Sequence, residues 1–586
     1  MNIRRTFDFL HYQLEKFPQQ KAISSKVNGE WKSFSTQEVA DIVNQLSVGL
    51  MNIGIFKGDK IAVISENRPE WNFVDLAAQQ LGVILVPLYA TLPPKDCAYI
   101  LEHAECKLVF ASDQELYNKI VTSVDEENAL LLYSFEKLEG VQHWTSLLKE
   151  VGSPEMDRLK AIQDSIGEEE LMTIIYTSGT TGKPKGVMLS HKNVVTNVKG
   201  VYKVSGLVRG KFKVLSFLPL SHIYERSGFL LFLFAGSSIY YAESLEKIGD
   251  NLREVKPHFF NSVPRLLEKV MDKIIAKANE LSPLKKSLFN WAMRLGLEYE
   301  PHKKYEMSYR VQMFIADKLI FSKWREALGG NISSISCGGA ALQPRLGRVF
   351  WAAGIKVCEG YGMTECAPVI AANYADNVEM VRMGATGMLV EGVEVKIAKD
   401  GEVLCKGPNI MMGYYKEPAL TAEVLKEGWF HTGDIGEVSQ EGFLKITDRK
   451  KEIFKTSGGK YIAPQVLENK LKESLFIEQV MVVGENRKFP SALIVPNFDG
   501  LKDWCVENKI TFSDLEELVK QPGVINRIAN EVSRANELFG NWERVKQFRL
   551  IPQIWSIETG ELTPKMSMKR RVILEKFSRE IEDMYV

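Results

Sequence analysis

The sequence predicts an α/β protein: a large N-terminal domain of doubly wound parallel sheets with a β-rich part, then a small α+β C-terminal domain. Three observations support this fold class. Short apolar runs alternate with helical segments, which is typical of a parallel sheet covered on both faces. Short strands separated by glycine turns follow at about 384–440. A charged stretch without apolar periodicity at 447–451 then indicates a hinge, which divides the chain into domains 1–447 and 448–586.

The hydrophobic pattern predicts the elements of the first domain in order. Residues 1–60 have the amphipathic pattern of helices, and a turn at Asn67 leads into a helix through Gln80. Another helix is expected at about 95–103. The apolar runs predicted as buried strands begin at residues 60, 83, 107, 171, 187, 214, 332 and 355.

An insertion at about 264–328 departs from this alternation. Its apolar residues recur at helical spacing in two stretches, and 309–328 supplies a third helix. Many lysines and arginines accompany the apolar stripe. This pattern favours the solvated face of core helices over a surface that touches a membrane. The apolar window 229–236 is too short to cross a bilayer, so it is predicted to be a core element.

Composition excludes several functional classes. The 586 residues carry 74 basic and 74 acidic side chains, so no overall charge indicates binding to nucleic acid. The seven cysteines form no CxxC pair, which favours a reducing compartment and argues against a structural zinc site. The first fourteen residues lack the apolar core of a signal peptide. We therefore expect a cytoplasmic protein, with peripheral membrane contact left open.

The most informative stretch is a loop at 176–187 that is rich in glycine, hydroxyl side chains and lysine. Glycines allow backbone N–H groups to approach a ligand closely, hydroxyls donate hydrogen bonds and lysines neutralise charge, so the loop suits a polyphosphate. It is not a Walker A loop, because Pro184 occupies the second glycine position and no Gly-Lys-Ser/Thr follows. After it, Ser190 is predicted to cap a helix that begins near His191.

Five further stretches make this signal specific. In chain order they are Leu218–Arg226 (LPLSHIYER), Gly360–Glu365 (GYGMTE), Trp429–Asp434 (WFHTGD), Ile446–Lys455 (ITDRKKEIFK) and Ser457–Pro464 (SGGKYIAP). With the glycine loop, their order and spacing resemble the AMP-forming adenylating superfamily over roughly residues 20–575. The insertion after Asn261–Arg265 and the ending Gly560–Pro564 look most like the long-chain fatty acid CoA ligases.

The resemblance implies a nucleotide site in the first domain. Tyr361 would stack on adenine beside Gly362, while Thr364 would contact phosphate and His222 would lie near the acyl carboxylate. Glu365 would hold Mg²⁺, for which one carboxylate plus phosphate oxygens is normal ligation. The β- and γ-phosphates would be held by Thr177, Ser178, Gly179, Thr180, Thr181, Gly182 and Lys185, and the adenine pocket would be lined by Gly338, Gly339 and Ala340.

It also implies roles further along the chain. Asp434 would bind the ribose hydroxyls with Arg449 beside it, and Lys451 would be the hinge about which a mobile C-terminal domain rotates between the two half-reactions. Ser457, Gly458 and Gly459 would line the tunnel for the thiol substrate, and Lys460 would face phosphate in one of the two states.

One position departs from the family pattern. The lysine expected to reach the reacting carboxylate and α-phosphate falls on Ser567. Lys569 and Lys565 each lie two residues away, which on a strand is the same face. Either lysine could replace the missing one, with Lys569 slightly favoured, or the serine leaves adenylation slow.

The leading hypothesis is a long-chain fatty acid–CoA ligase that uses ATP, Mg²⁺ and coenzyme A. Its expected substrates are a fatty acid and CoA, and the oligomeric state is not predicted. One alternative is a fatty acyl-AMP ligase that passes the acyl group to acyl carrier protein. Another is a catalytically impaired nucleotide-binding regulatory module, for which the serine at position 567 is the only support.

Overall fold

The computed structural model describes residues 2–123, 130–177, 183–556, 559–563 and 568–585. The chain forms two compact units. The first unit comprises Met1–Val395, Cys405–His431 and Gln440–Leu444, and the second comprises Lys396–Leu404, Thr432–Ser439 and Lys445–Val586. The predicted division into independently moving domains at 447/448 remains a prediction.

An eight-stranded sheet forms one layer of the first unit. Its central strands are parallel, and two strands at one edge are antiparallel. Central strands such as Ile84–Leu88 are buried at every position, as expected for a parallel sheet covered on both faces. In spatial order the strands are Gly413–Tyr414, Lys185–Ser190, Leu171–Thr177, Ile84–Leu88, Lys60–Ile64, Cys106–Ala111, Leu131–Ser134 and Gln142–His143.

A nine-stranded sheet forms the second layer of strands. Six neighbouring strands are parallel, and antiparallel strands complete both edges. In spatial order they are Met388–Leu389, Val369–Ala372, Lys356–Gly362, Ser334–Cys337, Phe259–Ser262, Lys213–Ser216, Ser238–Tyr241, Ile23–Val27 and Glu30–Phe34. The last two form a hairpin, so the prediction that residues 1–60 are wholly helical is wrong there. That hairpin is held by pairing with Ser238–Tyr241, a contact more than two hundred residues away along the chain.

Helices fill the space around these sheets. Ser190 and Asn193 form a capping box at the start of His191–Ser205, as the sequence predicts. The other α-helices of the first unit are Asp8–Lys16, Thr36–Asn52, Pro69–Gln80, Pro94–Ala104, Gln114–Val121, Ser153–Asp164, Ile223–Ala235, Ile248–Val255, Pro264–Asn279, Pro283–Leu297, Met307–Ala316, Ser322–Ala327, Pro344–Ala352 and Pro418–Val424.

Two predictions about apolar segments are confirmed. Residues 229–235 lie in the helix Ile223–Ala235 and are all buried. The insertion consists of Pro264–Asn279, Pro283–Leu297 and Met307–Ala316, with a π-helical turn Asp317–Phe321 leading into Ser322–Ala327. Among the described residues, none of the helices is both long and apolar enough to span a membrane.

The β-rich part and the second unit are built from shorter elements. Strands Glu394–Ile397, Glu402–Lys406, Leu425–Lys426, Trp429–Val438 and Leu444–Arg449 lie between residues 394 and 449. A two-stranded hairpin, Phe454–Lys455 with Tyr461–Ile462, follows. The second unit then contains a sheet of Ile477–Val483, Ser491–Pro496 and Gln547–Leu550, with helices Pro464–Leu471, Phe498–Glu507, Leu515–Leu518, Pro522–Asn536, Arg570–Lys576 and Ser578–Glu582.

Candidate active site

The two strands that flank the glycine loop place its ends side by side. Thr177 ends one strand and is directly opposite Lys185, which begins the next, in antiparallel register. The hydroxyl oxygen of Thr177 is buried and has no hydrogen-bond partner among the described residues. A buried hydroxyl of this kind is costly unless it binds something. The loop predictions for Ser178, Gly179, Thr180, Thr181 and Gly182 lie outside the described residues.

A charge cluster lies at the base of this loop, with Glu365 and Tyr414 buried and Lys185 half-buried. The Lys185 ammonium is 3.0 Å from Glu365 Oε1 and donates a hydrogen bond to Tyr414 Oη at 2.5 Å. Tyr414 in turn donates to Glu365 Oε1 at 3.0 Å, and the Lys185 ammonium lies 4.1 Å from the centre of the Tyr414 ring. The fold therefore joins three residues from distant parts of the sequence around one carboxylate oxygen.

This cluster keeps Glu365 ionised despite its burial. Burial alone opposes ionisation, but the Lys185 charge and the hydrogen bonds from Lys185 and Tyr414 outweigh it and hold the pKa of Glu365 below its usual range. The backbone of Met411 donates to the Glu365 carbonyl at 2.9 Å and fixes the turn Thr364–Cys366. The site can thus present a fixed negative charge next to a fixed positive one.

The predicted adenine-pocket residues follow two neighbouring strands. Cys337 is in register with Glu359, so Gly338 and Tyr361 both emerge at the same edge of the sheet. Glu359 accepts a hydrogen bond from the Leu342 backbone at 3.1 Å, which ties the loop containing Gly339 and Ala340 to the strand that carries Tyr361. Burial raises the pKa of Glu359 to about 8.

Two glycines in this pocket are required by its geometry. A Cβ at Gly362 would lie 1.8 Å from the carbonyl oxygen of Pro368, so no side chain fits there. Gly339 has a φ of 83°, in the left-handed region that favours glycine. Glycine is therefore needed at position 362 for lack of space and favoured at position 339 by the backbone conformation.

His222 caps the helix Ile223–Ala235 by accepting the Tyr224 backbone N–H at its Nδ1, at 3.0 Å. The loop before it is fixed by Asn67, whose side chain donates to the Leu218 carbonyl at 2.7 Å and accepts from the Leu220 backbone at 2.9 Å. The imidazole is also 6.5 Å from the Tyr89 ring, measured between centroids. His222 therefore has a structural role as a helix cap, in addition to its predicted place near the acyl carboxylate.

A buried polar network supports this helix from behind. Glu225 accepts from Ser216 at 2.6 Å and from Asn261 at 3.0 Å, and burial raises its pKa to about 7. Arg226 is fully buried and forms a bidentate pair with Asp75, at 2.5 and 2.9 Å. Because a buried ion pair of this kind is costly to break, the His222 loop rests on a rigid support.

In the second unit, Asp434 and Arg449 are close together. Asp434 is buried, and its Oδ1 lies 3.4 Å from Arg449 Nε. Arg449 ends the strand Leu444–Arg449 and is largely exposed. The pair therefore has one fixed member and one that can reorient.

The predicted tunnel and hinge residues are exposed in the second unit. Ser457, Gly458, Gly459 and Lys460 form the loop between the strands Phe454–Lys455 and Tyr461–Ile462. Gly459 has a φ of 78°, and the Lys460 ammonium lies 5.5 Å from the centre of the Trp542 ring. Lys451 is the second residue after the strand that ends at Arg449.

The segment that carries the candidate replacement lysines is closed at its base. Leu562 and Met568 form an antiparallel bridge, and the Lys569 N–H donates to the Glu561 carbonyl at 2.7 Å. Lys569 is exposed and precedes the helix Arg570–Lys576. Lys565 and Ser567 lie outside the described residues.

Arg570 anchors that segment to a buried acidic group. Its guanidinium is 2.6 Å from Glu468 and donates to the Val482 carbonyl at 2.5 Å. Asp448, near the predicted hinge, is also buried, and burial raises its pKa to about 7. Asp448, Glu452 and Glu468 all act electrostatically on Arg570.

Two residues of the site were missed in the sequence. Tyr414 follows Gly413 on a short edge strand, and no spacing connects it with Lys185 or Glu365. Tyr224 lies within the LPLSHIYER stretch, and its ring is 3.4 Å from the position a Cβ at Gly338 would take. In the sequence, Tyr414 was marked only by the glycine before it and Tyr224 only by its place in that stretch. The described residues contain no group of three or more His, Cys, Asp or Glu side chains arranged to hold a metal ion.

Family models match most of the chain. The model of the AMP-binding enzyme family matches residues 10–415, and the AMP-binding enzyme C-terminal domain matches residues 451–586. Four of the six sequence stretches lie wholly within these matches. The Ile446–Lys455 stretch is matched only from residue 451, and the Trp429–Asp434 stretch lies between the two matches.

Curated relatives and solved structures extend the similarity over nearly the whole chain. The long-chain-fatty-acid–CoA ligase FadD15 of Mycobacterium bovis is 32% identical over 95% of this chain and 93% of its own length. Human long-chain-fatty-acid–CoA ligase 1 is 32% identical over 95% of this chain and 82% of its own. The adenylation domain of a carboxylate reductase from Mycobacterium chelonae superposes with a TM-score of 0.76 at 21% identity, covering 99% of this chain and 91% of that one. The anthranilate CoA ligase AuaEII, solved with anthranoyl-AMP, gives 0.72 at 16% identity over 98% and 97%. At these identities the structures establish the adenylate-forming fold, which confirms the predicted fold class.

Proposed function

The chain belongs to the AMP-binding enzyme family, and from this premise we propose that it is a long-chain fatty acid–CoA ligase. It activates the fatty acid with ATP and transfers the acyl group to CoA. The relatives that share about a third of its sequence over nearly its full length are named long-chain-fatty-acid–CoA ligases. The observation in this chain that supports the proposal is the Lys185–Glu365–Tyr414 cluster at the base of the glycine loop.

In the first half-reaction the fatty carboxylate attacks the α-phosphorus of ATP, and the bond to the leaving pyrophosphate breaks. Negative charge grows on the phosphates, so fixed positive charge should dominate catalysis. Lys185 supplies it to the β- and γ-phosphates, beside Thr177 and the glycine loop. Thr364 contacts phosphate and His222 positions the acyl carboxylate.

Mg²⁺ neutralises phosphate charge when it is bound, and Glu365 is the residue that would hold it. The fit is supported by the ionised state of Glu365 and by its place one residue after Thr364. A single carboxylate suffices because Mg²⁺ in such sites takes most of its other ligands from phosphates and water. Tyr414 orients the carboxylate by donating to Oε1.

In the second half-reaction the CoA thiol loses its proton and attacks the acyl carbon of the adenylate, and AMP leaves as the acyl–oxygen bond breaks. Tyr361, Gly362 and the loop 338–340 hold adenine, and Asp434 with Arg449 holds the ribose. Lys451 is the hinge, Ser457–Gly459 line the thiol tunnel, and Lys460 meets phosphate in one of the two domain positions. Lys569 or Lys565 takes the place of the family lysine.

The test is a chain-length series of fatty acids scored with the full chain for pyrophosphate release and then, with CoA added, for AMP and acyl-CoA. We expect pyrophosphate release to depend on the fatty acid and to be largest with long chains. Transfer only to acyl carrier protein would favour the acyl-AMP ligase. Tight ATP binding with no exchange of labelled pyrophosphate would favour the regulatory module.

A further inference from the structure

One helix of the insertion is apolar on two opposite faces. Along Met307–Ala316 and the π-helical turn that follows, Tyr309, Met313, Ala316 and Ile320 face the core of the first unit. The opposite face is also apolar, yet it is exposed. A helix that is apolar all round normally has both faces covered.

The exposed face forms a continuous stripe, which we call the outer stripe. Its members recur at intervals of three or four residues, so they lie side by side on the helix surface. Their exposed fractions are 68% for Met307, 51% for Val311, 60% for Phe314, 43% for Ile315 and 45% for Leu319. Leu284, at the start of the neighbouring helix, is 83% exposed. Single exposed apolar side chains are ordinary, but a contiguous group marks an interaction surface.

Basic side chains accompany the outer stripe. Residues 303–323 contain five lysines or arginines and two acidic residues. Arg310, Lys318 and Lys323 are exposed, and the Lys318 ammonium lies 4.6 Å from the centre of the Phe314 ring. One of the two acids, Asp317, is already paired with Arg325 at 2.5 Å. The surface around the apolar stripe is therefore positive.

We propose that the outer stripe is a membrane-docking surface that binds the face of a bilayer containing anionic phospholipid. Apolar side chains would enter the boundary between headgroups and acyl chains, while Arg310, Lys318 and Lys323 contact lipid phosphates. This is the arrangement of an interfacial amphipathic helix, in which buried apolar area and attraction to anionic lipid act together. The sequence pattern favoured a solvated face here, and the outward apolar residues are the reason to reverse that interpretation.

The inference goes beyond the reaction, because binding to a vesicle needs neither ATP nor CoA. Such docking would place a protein expected in the cytoplasm at the surface of the bilayer, into which long-chain fatty acids partition. A second copy of this chain or a partner protein is the competing occupant, and the charge complementarity favours lipid.

The experiment is flotation of the full chain with phosphatidylcholine vesicles, with and without about one-third phosphatidylglycerol, at low salt and near 0.3 M salt. We expect binding to the anionic vesicles that weakens about tenfold at the higher salt. The double variant V311E/F314E should lose about tenfold or more of that binding. The matched control is Val506→Glu, at a site on the helix Phe498–Glu507 that is 79% exposed, which should bind as the parent does.

Pyrophosphate exchange in vesicle-free solution is measured in parallel and should be unchanged in V311E/F314E. Failure of the ligase proposal would abolish exchange in the parent without affecting flotation, so the two proposals fail separately. The docking proposal is overturned if the parent ignores anionic vesicles at low salt, or if V311E/F314E binds equally well. It is also overturned if light scattering shows an oligomer that this variant dissociates, since the stripe would then be a subunit interface.

Discussion

The lysines predicted to act on phosphate are held in different ways in the first unit and in the second. In the first, Lys185, Glu365 and Tyr414 are fixed by mutual hydrogen bonds in one cluster. In the second, Lys460 and Lys569 are exposed, one on a hairpin loop and one directly before the helix Arg570–Lys576. Preorganised charge acts without reorganisation during the reaction, whereas exposed lysines must be brought into position. Under the proposed function, the first unit would supply the fixed electrostatics and the second would supply groups that act in turn.

The largest expected effect comes from the fixed cluster. Glu365→Gln should reduce magnesium-dependent exchange of labelled pyrophosphate about 10³-fold, because the metal-binding charge is removed while the fold remains. The control is Glu391→Gln, whose carboxylate forms an exposed ion pair with Lys203 and should be near parent activity. Unchanged pyrophosphate exchange in Glu365→Gln would contradict the idea that the first unit supplies fixed charge for the reaction.

The candidate replacement lysines Lys569 and Lys565 test the role of the second unit. Lys569→Ala or Lys565→Ala should lower the adenylation rate on the order of 10²-fold if, as proposed, one of them supplies charge to the transition state. Rapid-quench measurement of acyl-AMP formation separates this step from thioester formation, and the exposed Lys520→Ala serves as control. If both single variants adenylate normally, the hypothesis of a replacement lysine is wrong.

A smaller effect is expected at Arg570, which we regard as a positioning residue for Lys569. Arg570→Met leaves Glu468 buried without its cation, so the free energy of unfolding should fall by about 3 kcal/mol. The adenylation kcat should fall about tenfold with little change in the KM for ATP, because the lysine segment is misplaced.

The double variant R570M/E468Q distinguishes positioning from stability. Glu468 accepts a hydrogen bond from the Val482 backbone at 2.7 Å, and the amide oxygen introduced by Glu468→Gln can still accept it without a charge. The double variant should therefore regain stability, but it should not regain the adenylation rate. Recovery of both would mean that Arg570 only stabilises the second unit.

The most gradual effect is a pH dependence of stability in the first unit. The folded state raises the pKa of Glu359 to about 8, so unfolding releases its proton between about pH 5 and 8. Stability should therefore fall as pH rises through that window, by about 1.4 kcal/mol per pH unit at most, and level off above it. Glu359→Gln should flatten this slope in urea titrations. A parent whose stability rises over the same range would contradict the assignment.

Much of the fold could be predicted because it follows local patterns. Apolar runs predicted the parallel strands, Ser190 before a helical pattern predicted the cap, and the short apolar window at 229–236 predicted a core element, which the structure shows to be a helix. The hairpin at Ile23–Phe34 could not be predicted, since its strand pairing depends on Ser238–Tyr241. Long-range pairing overrides local propensity in such edge strands.

The candidate site shows the same limit. The ordered stretches indicated Lys185 and Glu365 individually, but their mutual contact and Tyr414 depend on strands that meet only in the folded chain. The exposure of the outer stripe could not be predicted for a related reason. Helical spacing identifies the apolar residues of a helix, but it does not tell which of its faces other elements cover. The roles of Ser178–Gly182, Lys565 and Ser567 remain predictions.

The Lys185–Glu365 pair gives the pocket a counter-ion of its own. A divalent cation that arrives alone must displace an ammonium already bound to the carboxylate, and it offers that ammonium nothing in exchange. A triphosphate that carries the cation also brings phosphate oxygens. These oxygens can bind the Lys185 ammonium while the cation binds the Glu365 carboxylate. If Glu365 holds the metal as proposed, we expect the pocket to bind the cation together with its nucleotide and to bind the free ion weakly.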